Sequence, residues 1–277
     1  MSKSRSIFSD LSQQDKMKAL REAVCNSNLE QVKALLKSGI DVNNIKQDSK
    51  LLHAAVYEEN IKIMALLIQH KADVNLPNKD GNTPLHLVRT AGIAQKLIES
   101  KANVNALNQY NYTPLHSMQT AEIAQKLIEK NADVHAPSVK GNTPLHLARN
   151  VEVVKKLIEK NANVNAPNVT GDTPIDQYLM SPFPTLDCLF LYAKLVLSGQ
   201  AICSKQYAIN KLQKIINCNK AESALKQKQL AVVLKAFAAD QVESLIIPDQ
   251  IQNFMQEDWQ LLGCDEESGS QEGITNL

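Results

Sequence analysis

Thr83-Pro84-Leu85-His86 returns as Thr113-Pro114-Leu115-His116 and as Thr143-Pro144-Leu145-His146, then in decayed form as Thr173-Pro174-Ile175-Asp176. The period is 30 residues. Between copies Leu97-Ile98-Glu99, Leu127-Ile128-Glu129 and Leu157-Ile158-Glu159 each close an apolar-striped stretch and lead into a short polar turn. Upstream, residues 20–43 and 51–75 carry the same pattern with about three extra residues each. A repeat of this length is one supersecondary unit that cannot bury its apolar face alone, so neighbours must stack.

The local chemistry suits a helix–turn–helix unit. Thr before Pro caps a helix, and Pro fits its first turn because the missing N–H would have had no partner. Ile93, Leu97 and Ile98 fall on one helical stripe, as do Ile123, Leu127 and Ile128, with Gln and Lys on the opposite face. Leu85 to Ile98, Leu115 to Ile128 and Leu145 to Ile158 span thirteen residues, whereas Leu20 to Leu36 and Leu52 to Ile68 span sixteen. The difference predicts inner helices shortened by about one turn, roughly 4.5 Å, from the third unit on.

Bulk composition narrows the function. Hydrophobic residues make up 44% of the chain and aromatics 4%, as expected of a packed helical protein rather than a β-sandwich. Thirty basic against 29 acidic residues leave a net charge of +1, so no global field draws the chain to nucleic acid or anionic lipid. Cys25, Cys188, Cys203, Cys218 and Cys264 are odd in number and lack metal-ligand spacing, which predicts a reducing cytosol and neither disulfide framework nor zinc site. The first sixteen residues lack the apolar core of a secretory signal, and no apolar run is long enough to span a membrane.

Thr143-Pro144-Leu145-His146-Leu147-Ala148 matches the TPLHxA motif, and over these residues the chain resembles the ankyrin-repeat family. The resemblance implies an all-α fold: an ankyrin-repeat solenoid of five repeats plus a degenerate sixth over residues 16–177, with short β-hairpin tips. It also implies that His53, His86, His116 and His146 hydrogen-bond the backbone of an adjacent turn rather than bind metal. Ankyrin proteins bind partners through the hairpin tips and the inner-helix face, which stacking leaves free.

Comparison of sister tips selects candidate residues. Three tips read Asp80-Gly81-Asn82, Lys140-Gly141-Asn142 and Thr170-Gly171-Asp172, whereas the fourth reads Tyr110-Asn111-Tyr112. Asn111 tolerates the left-handed backbone that glycine supplies elsewhere, so two amphipathic rings are added without losing the turn. They are read either as interface anchors or as rings packed on a neighbouring tip. Arg89, Gln119 and Arg149 occupy equivalent inner-face positions and, with Lys140, complete the candidate partner-binding set. The outer-helix lysines, such as Lys96, Lys126, Lys155 and Lys156, read as a solvated face.

Beyond Gln177 the repeat decays and Ser181-Pro182-Phe183-Pro184 breaks the chain. Helical spacing predicts a small helical C-terminal cap or domain over 178–262, preceded in the chain by a flexible segment at 1–15 and the repeats, and followed by a disordered acidic tail at 263–277. Trp259 lies on a helical stripe there, as core or as part of a partner-binding helix. No histidine follows His146, and no phosphate loop, HExxH or nucleophile elbow is present, so no catalytic residue, cofactor or metal is expected. The predicted function is protein binding without catalysis. The alternative is a modifier of host proteins whose chemistry lies in 178–262, with the repeats recruiting its target.

In the tail, Asp265-Glu266-Glu267, Glu272 and Ile274 resemble the C-terminal translocation signals of Dot/Icm type IV effectors from Legionella-like intracellular bacteria. With repeats of a eukaryotic type and a Lys-biased composition, this suggests an effector delivered into the host cytoplasm, where it binds a host protein. Thr275-Asn276-Leu277 also has the spacing of a PDZ-type C-terminal ligand.

Overall fold

The computed structural model describes residues 11–43, 51–180, 191, 192 and 195, and among these all regular structure is helical. The chain divides into two compact units, residues 1–156 and 157–277. In the first, α1 (Gln13–Cys25) is paired with α2 (Leu29–Leu36), and α3 (Leu51–Tyr57) with α4 (Ile61–Gln69). A single 3-10 turn, Pro84–Leu87, then precedes α5 (Ala91–Glu99), and another, Pro114–Ser117, precedes α6 (Ala121–Glu129). The one-turn α7 (Pro144–Leu147) leads into α8 (Val151–Glu159), within which the division between units falls.

Side-chain caps decide where helices begin. Ser12 Oγ accepts from Asp15 N–H at 3.1 Å, starting α1 three residues ahead of the expected repeat boundary. Asn28 and Asn60 Oδ1 accept from Gln31 and Ile63 N–H at 3.1 and 3.0 Å, starting α2 and α4. The inner elements shorten from 13 and 7 residues in α1 and α3 to 4 in each of the third, fourth and fifth repeats, as the spacing predicted. The cause lies in the linkers. After α1 and α3 the chain reverses through Ser27 and Glu59, both at φ 53°, with Asn28 and Asn60 N–H bonded back to Ala23 and Ala55 carbonyls. Later repeats lack the three residues that make this reversal, and Val88, Met118 and Ala148 are extended immediately after one helical turn.

The core is built from the motif leucine and the outer-helix stripe. Leu85, Leu115 and Leu145 are buried between repeats, as are Ile93 with Leu97 and Ile123 with Leu127. Each such side chain contributes about 1.5–3 kcal/mol through burial, whereas Ile98 and Ile128 are half-buried. Hence the stripe is narrower than its sequence pattern suggested.

Among the described residues the expected β-hairpin tips form no β-ladder: those of the third, fourth and fifth repeats are each a five-residue turn. Asn78 N–H bonds Asn82 O at 2.8 Å, Asn108 N–H bonds Tyr112 O at 3.1 Å and Ser138 N–H bonds Asn142 O at 2.9 Å. No ladder follows because a side chain captures the return strand's donors. Asn78 Oδ1 accepts from Asp80 and Asn82 N–H, and Asn108 Oδ1 from Tyr110 and Tyr112 N–H, all at 2.9 Å.

A second set of bridges joins the turns after the outer helices. Asn75 donates from Nδ2 to Lys101 O (3.2 Å) and accepts at Oδ1 from Asn103 N–H (2.7 Å). Asn43 does the same with Lys71 and Asp73, and Asn105 with Asn131 and Asp133. The carbonyls that receive these amides belong to residues at φ 63° to 68°, left-handed positions that terminate the outer helices.

In the second unit, the Asn168–Asp172 turn repeats the tip geometry with Gly171 at φ 83°. Thr173 caps α9 (Pro174–Leu179), donating from N–H and hydroxyl to Asp176 Oδ2 at 3.0 and 2.6 Å, so Asp176 takes the place that histidine holds in earlier copies. The helix runs through the expected boundary at 177. Tyr178 and Tyr192 are buried with ring centroids 5.2 Å apart, and Leu191, Tyr192 and Leu195 are helical. The other expected C-terminal helices, Trp259, the acidic tail and Thr275-Asn276-Leu277 lie outside the described residues.

Candidate protein-binding surface

The motif histidines hold the tips. His86 Nδ1 accepts from Thr83 N–H at 3.1 Å and Thr83 Oγ1–H at 2.9 Å, so its proton sits on Nε2, which donates to Tyr112 O at 2.8 Å. His116 repeats this with Thr113 and Asn142 O, and His53 Nε2 lies 2.8 Å from Asn82 O. His146 Nδ1 accepts from Thr143 in the same way. Burial pushes His86 and His116 below the ordinary imidazole range, while their bonds to the Tyr112 and Asn142 carbonyls pull the other way. The rings of His53, His86 and His116 thus donate to the backbone of an adjacent turn, as the resemblance implied. Among the described residues no group of histidine, cysteine and carboxylate side chains is placed to hold a metal.

Each His-to-carbonyl bond fixes the tip of the next repeat, and the tips also bond one another directly. Gln109 N–H donates to Asp80 O at 3.1 Å and Val139 N–H to Tyr110 O at 2.9 Å. Asn111 takes φ 57° where Gly81 and Gly141 take 79° and 73°, so the Tyr-Asn-Tyr tip keeps the turn. The two rings then part in role. Tyr112 is half-buried and stacks on His116, with centroids 5.2 Å apart, whereas the Tyr110 side of the tip leaves that residue 55% exposed. The rings are tilted, with centroids 6.2 Å apart.

Tyr110 has apolar company. Leu107 is 56% exposed just before it and Val139, bonded to its carbonyl, is 62% exposed on the next tip beside Lys140. Leu107 and Val139 escaped the sequence comparison because single aliphatic residues in tips carry no composition signal; their exposure is decided by the turn.

Arg89, Gln119 and Arg149 do not lie on inner helices as expected, because those helices end before reaching them. They occupy the linkers between the two helices of their repeats. Arg89 Cζ sits 4.9 Å from the centroid of the Tyr57 ring, a cation–π pair formed by two exposed residues. Arg149 donates from a guanidinium N–H to His146 O at 3.2 Å, and Gln119 is exposed. Among the described residues no helix is long and apolar enough to cross a membrane.

A family model described as ankyrin repeats (3 copies) matches residues 20–88 and again 88–168 of the 277. The chain is 36% identical over 89 residues to the nuclear factor NF-kappa-B p105 subunit of Gallus gallus, covering 31% of this chain and 9% of that protein. It is 38% identical over 68 residues to an ankyrin repeat protein of Rickettsia bellii (strain RML369-C), covering 24% and 8%. Over 80 residues it is 30% identical to the Notch-regulated ankyrin repeat-containing protein of Xenopus laevis, covering 27% of this chain and 70% of that protein. The chain therefore spans no more than 9% of the first two relatives' length. Its own histidine-held turns recur through the matched residues, and on that match of more than half its length the chain belongs to the ankyrin-repeat family, whose repeats are protein-interaction modules.

Proposed function

We propose that this protein binds a partner protein through the tips of its third to fifth repeats, with Tyr110 as the central anchor. The observation that carries the reading is the exposed Tyr110 side chain beside exposed Leu107 and Val139, on turns held rigid by His86 and His116. A large amphipathic ring presented on an already ordered turn is an efficient anchor, and exposed apolar side chains on the same and the next tip add apolar surface for a partner. Asn111 shapes the turn, Tyr112 supports it, and Lys140 supplies charge beside Val139. Arg89, held over Tyr57, keeps the edge donors of its guanidinium for a partner's carboxylate, with Gln119 and Arg149 in the equivalent linkers.

The partner is a host-cell protein, and the chain acts as a cytosolic effector delivered by a type IV system. This context is supported by the acidic tail and the Lys-biased composition. Affinity capture with wild type and Tyr110→Ala, quantified by mass spectrometry, tests the surface. Selective loss of one or a few proteins with Tyr110→Ala supports it, and unchanged capture of every protein overturns it. Removing residues 263–277 tests delivery separately: intact translocation would refute the signal.

A further inference from the structure

A groove of about 440 Å³ opens on the outer helices of the first three repeats, lined by Leu29, Ala65 and Leu66 together with Lys33, Lys62 and Lys96. One lysine comes from each of α2, α4 and α5. Every charged residue that lines it is basic. Lys33 is 2.7 Å from the Glu30 carboxylate, whereas among the described residues neither Lys62 nor Lys96 has an ion-pair partner. The apolar residues between the lysines are only half-buried.

We propose that this groove binds an acidic amphipathic helix of a partner protein, with its apolar stripe on Leu29, Ala65 and Leu66 and its carboxylates on Lys62 and Lys96. The ammonium groups of Lys62 and Lys96 select for negative charge, with Lys33 held by Glu30, and the apolar lining selects for an occupant that also brings apolar surface, which a free inorganic anion does not. A groove this open leaves a small molecule largely in water, whereas small-molecule sites bury most of their ligand. Length also fits: outer helices packed at roughly 8–10 Å put the first and third about 16–20 Å apart, the rise of roughly 11–13 helical residues. None of these residues belongs to the tip surface, so the two proposals stand or fall separately.

The probe is a fluorescein-labelled 16-residue Ala-based helical peptide carrying Leu at i, i+3/i+4 spacing flanked by Glu, set against the same peptide with every Glu replaced by Gln. Anisotropy with the full chain at low salt should show the Glu peptide binding about tenfold tighter, with affinity falling as salt rises. Lys62→Glu/Lys96→Glu and the milder Lys62→Gln/Lys96→Gln should weaken it, with Lys130→Glu, on an exposed residue outside the groove, leaving it unchanged; circular dichroism checks each fold. Equal affinity for the two peptides, binding of neither, or wild-type affinity in both double variants overturns the proposal. Lysine-dependent binding to phosphatidylcholine/phosphatidylserine vesicles without any preference for the Glu peptide also overturns it, in favour of a membrane surface.

Discussion

His86 Nε2 and the carbonyl oxygen of Tyr112 lie 2.8 Å apart across 26 residues of chain, and this bond ties the helical turn of one repeat to the tip of the next. On its other side the same ring accepts from the backbone and hydroxyl of Thr83, so one imidazole satisfies polar groups from two repeats. His86→Ala removes these bonds and leaves Thr83 N–H unpaired in a largely buried setting, while Tyr112 O keeps only its bond from Asn108 N–H. The expected cost is about 2–3 kcal/mol, read from the urea midpoint, together with faster amide exchange in the 108–112 turn. A cost within error of zero would show that the ring only fills space.

Acid should weaken the fold through the same rings. Burial lowers the folded-state affinity of His86 and His116 for protons relative to the unfolded chain, whose imidazoles titrate near 6.5. Protonation would also remove the Nδ1 lone pair that Thr83 and Thr113 use. Below 6.5 the unfolded state therefore binds more protons than the folded one, so stability is complete above that pH and is lost as pH falls through the lowered folded values. Denaturation at pH 7.5, 6.5, 5.5 and 5.0 should show a falling midpoint, with a shallower slope in His86→Ala/His116→Ala. A flat or rising profile contradicts the assignment.

Two tip glycines should respond differently to alanine. Gly81 has φ 79°, and a Cβ there would lie 2.7 Å from Gln109 N, in the bond that joins tips three and four. Gly171 has φ 83° but open space around its Cβ position. Gly171→Ala costs about 1 kcal/mol from the left-handed backbone alone, and Gly81→Ala costs more, about 2–3 kcal/mol, because backbone must move as well. Thermal melts of the two variants rank them; equal costs would mean that the tip contact yields freely.

Much of this surface was legible beforehand. Thr-Pro-Leu-His at a 30-residue period announced the stack, and the three missing residues announced the one-turn inner helices. Asn111 could be matched to Gly81 and Gly141 because a left-handed turn leaves few residue choices. The bridging asparagines Asn43, Asn75 and Asn105 were visible in each copy of the turn, yet asparagine in a polar turn is so common that their reach into the next repeat had no distinguishing sign.

The sequence by itself determined the repeat, its period and its buried leucines, because those follow from local spacing and from the need of each unit to cover an apolar stripe. Only the tertiary structure decided which side chains remain exposed. It turned Tyr112 onto His116 and left Tyr110 facing solvent, replaced the expected hairpin ladders by turns in which Asn78 and Asn108 take the donors, and set three lysines from separate helices around one groove. The groove joins Lys33, Lys62 and Lys96 from three successive repeats, which only stacking geometry brings together. The Tyr112–His116 and asparagine-turn contacts are short in sequence, but the folded path of each tip decides which of the competing side-chain placements is made.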